Sequence, residues 1–196
     1  MAGKFLWILD NGHGQSTSGK RSPVLDDGSQ MLEYEFNRDI VARLMMLMEG
    51  NELTFHNLVP EVEGDVSLTQ RVERANNLQS AQQKLYLSVH ANAAGDDWSK
   101  ANGIETFCYR FTSRSERMAK FFQKSLVNTV GWRDRGVKEA DFYVLRYTRM
   151  PAILTENGFY SNPEQCKKLL SGEWRDKIAQ AHLDAMLVIE SIGYNF

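Results

Sequence analysis

Apolar runs and helical spacing take turns along this chain. Residues 4–9 form a short apolar run, Phe5-Leu6-Trp7-Ile8-Leu9, that stops at Asp10-Asn11-Gly12-His13-Gly14. That is the pattern of a strand feeding a tight glycine-rich turn. Residues 15–30 are rich in Ser, Gly and Asp and predict a long loop. From about 33 to 49, Phe36, Ile40, Leu44, Leu47 and Met48 recur at helical spacing. Residues 53–59 predict a strand. Ser67-Leu68-Thr69-Gln70 fits a capping box and opens a helix carrying Leu68, Val72 and Ala75. Leu85, Leu87 and Val89 then alternate with Tyr86, Ser88 and His90, a strand that ends at His90-Ala91-Asn92-Ala93. A further strand is expected over 103–109. Ser113-Arg114-Ser115-Glu116 repeats the capping signal before a helix to about 128. Residues 152–155 predict a short buried strand ending at Glu156-Asn157-Gly158. Asn162-Pro163 opens a helix, and 174–192 makes the last. Strands separated by helices indicate an α/β fold, a mostly parallel twisted sheet with helices on both faces.

Composition narrows the class without changing that picture. The chain has 196 residues, 42% hydrophobic and 24% charged, which are ordinary globular values. Pro23, Pro60, Pro151 and Pro163 are scattered and no Gly/Ser/Pro linker interrupts the chain. One domain over 1–196 is therefore expected, large enough to fold without disulfide staples. Cys108 and Cys166 read as reduced, buried thiols. The net charge of -2 gives no excess of cations to drive binding to nucleic acid. No apolar run approaches the roughly 20 residues of a membrane span. The five-residue run at 5–9 is too short for a signal-peptide core, which points to synthesis in the cytoplasm without a visible signal.

Three strand-like runs end in polar residues that can do chemistry: His13, His90 and Glu156. In an open α/β sheet, the carboxyl ends of parallel strands line the ligand crevice. Two converging imidazoles without a cysteine suggest zinc if a carboxylate completes the set, leaving a fourth position for water. Glu33 is the attractive third ligand, with Asn37 one turn on to hold the site through an outer hydrogen bond. Glu156 would remain as the general base. Plainer readings stand beside this one. Gly-His-Gly can be only a turn, Glu33 and Glu35 can complement the helix dipole, and Glu156 can cap a turn. No His-Glu-x-x-His motif is present.

Several motifs in one order bring in a family. They are Leu9-Asp10-Asn11-Gly12-His13-Gly14, Glu33-Tyr34-Glu35-Phe36-Asn37, Asp65-Val66-Ser67-Leu68, Arg71, Ala75-Asn76, Leu87-Ser88-Val89-His90-Ala91-Asn92-Ala93, Gly103-Ile104-Glu105 and Pro151-Ala152-Ile153-Leu154-Thr155-Glu156-Asn157-Gly158-Phe159. Together they resemble the zinc-dependent N-acetylmuramoyl-L-alanine amidases of the amidase_3 type, over about residues 4 to 192. The resemblance implies His13, Glu33 and His90 as zinc ligands and Glu156 as the catalytic carboxylate. It implies peptidoglycan as substrate, cut between the muramic acid lactyl group and L-alanine. Asn11 stands where the family usually has Pro, and Val59-Pro60-Glu61 replaces a common Thr-Arg pair.

Around this centre, Asn92 and Arg135 are candidates for binding substrate, with Arg133 beside them. Tyr143, Arg146 and Tyr147 could line the cleft, although Tyr143 reads more simply as core. Trp98 could stack on a sugar, and His56 and His182 read as structural or surface residues. Two rival functions share the features: a zinc carboxypeptidase or deacetylase, and a wall-binding module without activity. A wall substrate without a visible export signal fits a single-domain phage or prophage endolysin released through a membrane lesion, or a housekeeping hydrolase whose signal has been removed.

Overall fold

A computed structural model describes residues 3–61, 64–111 and 113–193. Six strands form one sheet: β1 (Phe5–Asn11), β2 (Thr54–Asn57), β3 (Gln83–Asn92), β4 (Ile104–Cys108), β5 (Asp134–Glu139) and β6 (Ala152–Phe159). Their order across the sheet is β2-β1-β3-β6-β4-β5. β2, β1, β3 and β6 run parallel, whereas β4 lies antiparallel to β6 and carries β5 parallel to itself. The mostly parallel sheet expected from the sequence is present, with the central strands buried along most of their length.

The two faces are covered unequally, and that inequality makes the site. Trp7, Leu9, Leu85, Leu87, Val89 and Ile153 face the larger core. There they meet three long helices, α1 (Glu33–Gly50), α3 (Arg114–Val130) and α6 (Gly172–Ile192). Phe36, Ile40, Leu44 and Met48 of α1 are fully buried, each contributing about 1.5–3 kcal/mol. Ile8, Tyr86, Ala152 and Leu154 point the other way, into a smaller core. That face is covered by α2 (Leu68–Asn77) and the five-residue α4 (Tyr143–Tyr147). The short helices leave part of the strands uncovered. With a side-chain period of two, Asp10, Ser88, His90 and Glu156 share this thinly covered face.

Local chemistry explains the helix starts. Ser67 and Gln70 complete the capping box of α2, Ser113 accepts from Glu116 N at the start of α3, and Asn162 accepts from Gln165 N. Asn162 and Pro163 thereby open α5 (Pro163–Leu170). No side chain caps α1; instead Glu33 N donates to Lys20 O at 2.9 Å, so the 15–31 loop is tied to the helix start.

Three features differ from the sequence expectation. β5 was not foreseen, because Asp-Arg-Gly-Val-Lys-Glu lacks apolar alternation and survives as an edge strand. α4 is too short to have a period. β6 continues to Phe159, which places Glu156 inside the strand rather than past its end. Both cysteines are buried and unbridged. No described helix is long and apolar enough to cross a membrane.

Arg71 of α2, 2% exposed, binds the β1 turn to the loop before α2. It donates to Val66 O at 2.7 Å, Asn11 O at 2.9 Å, His13 O at 3.0 Å and Asp65 Oδ1 at 3.0 Å. It also pairs with buried Asp10. Arg71→Ala would strand the Asp10 carboxylate, so a loss of about 3–5 kcal/mol is expected in chemical denaturation. A loss under 1 kcal/mol would show that the pair contributes little to folding.

Candidate active site

His13 follows β1 with φ of 64°, a left-handed conformation that a non-glycine residue adopts only when held. Its holders are the Arg71 bond to its carbonyl and the glycines on either side. A Cβ on Gly12 would collide with the His90 ring, and one on Gly14 with the Gly64 carbonyl. The Gly-His-Gly sequence is thus a close-approach device, not only a turn.

Glu33, at the first turn of α1 and 2% exposed, meets both imidazoles. Its Oε1 lies 3.3 Å from His13 Nε2 and 3.0 Å from His90 Nδ1. The two rings stand at 90° with centroids 4.9 Å apart. One ligand atom from each of the three residues lies within 4.8 Å of the others. Burial works against ionisation of Glu33, but hydrogen bonds from the two imidazoles hold its carboxyl well below the usual range. Each imidazole can donate an N–H to this oxygen or, with a cation between them, turn a lone pair toward it. A site of two nitrogens and one oxygen without thiolate fits zinc. Glu35 is exposed and accepts from the Tyr34 hydroxyl at 3.0 Å, away from the cluster. Asn37 donates to Gly12 O at 2.9 Å and so steadies the turn.

Glu156 faces the same space. It is the register partner of His90 across β3/β6 and of Glu105 across β4/β6. Its Oε2 is buried with no hydrogen-bond partner among the described residues. Burial first, then the charges of Glu33 and Glu105, push its carboxyl well above the ordinary range, with Lys20 opposing them. An unpartnered carboxylate oxygen beside a cation site is suited to take a proton from a bound molecule.

A cavity of about 510 Å³ opens over these groups. His13, His90 and Glu156 line its floor, Lys20 one side, and Ser67, Leu68, Phe142 and Tyr143 its rim. Tyr143 is therefore not core: it is 37% exposed at the mouth, because α4 is too short to bury it. Asn92 and Arg135 lie outside the cavity lining. They meet on Glu105, Arg135 Nε at 2.8 Å, with Lys138 as a third donor. The Arg135 guanidinium also covers the Phe159 ring at 4.8 Å. Arg133, Trp98 and His56 are exposed. His182 is buried, bonded to Thr155 Oγ1 and Ile178 O, and burial pushes it down to about 4. It is a structural residue.

Sequence reasoning assigned no role in the site to Lys20, Asp10 or Ser88. The available signal was polarity at even positions of two buried strands, where Asp10 and Ser88 interrupt the smaller core.

The chain resembles known proteins along nearly its whole length. A family model, Amidase_3, described as N-acetylmuramoyl-L-alanine amidase, matches residues 8–187. The N-acetylmuramoyl-L-alanine amidase LytC of Bacillus subtilis is 38% identical over 187 residues, covering 89% of this chain and 33% of LytC. The amidase CwlM of Bacillus licheniformis is 32% identical over 180 residues, 91% of this chain and 66% of CwlM. The chain thus spans about a third of one relative and 66% of the other. Among solved structures, an N-acetylmuramoyl-L-alanine amidase from Clostridium difficile 630 superposes with a TM-score of 0.85 at 29% identity, covering 97% of this chain and 98% of that one. A family match from residue 8 to 187, with a solved amidase superposing over 97% of this chain, places it in the Amidase_3 family of N-acetylmuramoyl-L-alanine amidases.

Proposed function

We propose that this chain is a zinc-dependent peptidoglycan amidase that cuts the bond between the N-acetylmuramic acid lactyl group and L-alanine. The observation that carries the reading is a His13–Glu33–His90 cluster whose two histidines line one cavity with the unpartnered Glu156 carboxylate. His13, Glu33 and His90 would hold zinc, which supplies Lewis acidity toward the scissile carbonyl and toward water. Glu156 takes the proton of the attacking water and returns it to the L-alanine nitrogen as the C–N bond breaks. One water is consumed, and the products are a lactyl carboxylate and a stem peptide with a free amine. Lys20 adds positive charge beside Glu156, favouring its ionised, proton-accepting form. Phe142 and Tyr143, exposed at the cavity rim, offer ring faces to the glycan or peptide.

Asn92 and Arg135 act on substrate from the flank, with Glu105 holding both in place. Residues 1–196 work as one catalytic domain on the cell wall. The Bacillus phage SPP1 endolysin is 28% identical over 193 residues, which supports a lytic role of the same kind.

The test is product analysis on purified peptidoglycan, with and without a chelator. Release of intact stem peptides bearing free N-terminal L-alanine is expected. Chelation should abolish release while circular dichroism stays unchanged, because the α/β core supplies most of the folding energy. Release of single amino acids would instead indicate a carboxypeptidase. Collapse of secondary structure on chelation would make the metal structural.

A further inference from the structure

Asp10, Ser88 and His90 stand on one face of β1 and β3, and their hydrogen bonds can run in only one direction. Asp10 is buried and fully engaged. Its Oδ1 takes the Arg71 guanidinium, and its Oδ2 accepts from the Tyr86 hydroxyl at 2.7 Å and the Ser88 hydroxyl at 2.8 Å. Paired with arginine, Asp10 is a carboxylate, and a carboxylate only accepts. The Ser88 proton therefore belongs to Asp10. Turning it toward His90 would leave two oxygens facing each other at 2.8 Å and break a charge-assisted bond. Ser88 Oγ is left to offer a lone pair to His90 Nε2, 3.2 Å away. Both ring nitrogens thus face an acceptor, Nε2 the Ser88 hydroxyl and Nδ1 the Glu33 carboxylate, and a cation beside Glu33 leaves the one N–H to Nε2. A neutral imidazole has one N–H, so with the proton on Nε2 the lone pair is on Nδ1, the atom 3.0 Å from Glu33 Oε1, where the cation would stand.

We infer that Asp10 and Ser88 are positioning residues that hold His90 in its Nε2–H tautomer, making Nδ1 the atom offered to the metal. This rests on the metal-centre reading above. Outer hydrogen bonds of this kind orient a ligating imidazole and raise its basicity. The ring has no other polar anchor on its Nε2 side among the bonds of the described residues, and Gly12 gives it room to lie against the turn. Arg71 thus acts twice, on the His13 carbonyl directly and on His90 through Asp10 and Ser88.

The test is long-range ¹H–¹⁵N correlation of the imidazoles, tractable with four histidines in the chain. In the zinc-loaded protein, His90 should keep its proton on Nε2 while Nδ1 moves to the metal-bound range. Ser88→Ala should lose about 10–100-fold in zinc affinity, measured by chelator competition. Ser88→Thr, which keeps the hydroxyl and can turn its methyl into the cavity that Ser88 lines, should recover most of that loss. A proton on Nδ1, unchanged affinity in Ser88→Ala, or a Thr variant as weak as the Ala variant would overturn the inference. If Ser88→Ala does not fold, the wild-type and Thr spectra decide. If the wild-type protein takes up no zinc, the metal reading fails. Zinc uptake together with a proton on His90 Nδ1 would overturn this inference alone.

Discussion

Glu156→Gln is expected to lower turnover by about 10²–10⁴-fold while leaving fold and zinc content unchanged. Glutamine matches glutamate in size, so the strand and the cavity should keep their shape. What it removes is the proton acceptor. Glu156 is the carboxylate of the cavity floor with an oxygen that has no partner among the described residues, and no other buried carboxylate there is free. Asp10 is held by Arg71, Tyr86 and Ser88, and Glu33 faces both imidazoles. The pH–rate profile supplies a second readout. A base works only when ionised, so activity rises with pH through its pKa, and burial has moved Glu156 upward from 4.5. The variant should lose that acidic limb. Loss of zinc from Glu156→Gln would make this residue a ligand, and full activity would remove it from the mechanism.

His13→Ala, His90→Ala and Glu33→Ala are each expected to lose zinc by orders of magnitude in affinity, whereas Glu35→Ala should bind it normally. The wild-type protein should carry about one zinc per chain, since a site with three protein ligands has no spare one. The contrast between the two glutamates is the informative part. They are two residues apart on one helix, yet Glu33 points inward against both histidines and Glu35 outward to solvent. Elemental analysis of dialysed protein measures the outcome. Full zinc in Glu33→Ala with loss in Glu35→Ala would move the ligand and contradict the geometry.

Much of the fold was legible because its strands and long helices have strong periods. The capping box at Ser67, the Ser113 N-cap and the Asn162-Pro163 start each satisfy orphan N–H groups locally, so short sequence windows carry the signal. β5 and α4 were not legible. A polar edge strand takes its pairing from β4, and a five-residue helix takes its place from the packing of Val144 and Leu145. Tyr143 was misjudged as core for the same reason: exposure depends on what lies over a residue, which the neighbouring sequence does not encode.

By itself the sequence determined the residue types, their order, and the strand ends on which His13 and His90 would meet. It left open which glutamate faces the histidines, whether Asn92 and Arg135 line the cavity, and how the ligand ring of His90 is oriented. Those were decided by tertiary structure, because each depends on groups far apart in the chain brought within a few ångströms. Glu33 meets His90 from another element, and Asp10 reaches Ser88 across neighbouring strands. Arg71 ties the β1 turn to α2 only once the helix has packed on the thinly covered face. Periodicity reports which side of an element is buried; convergence of charges and lone pairs is a property of the packed molecule alone.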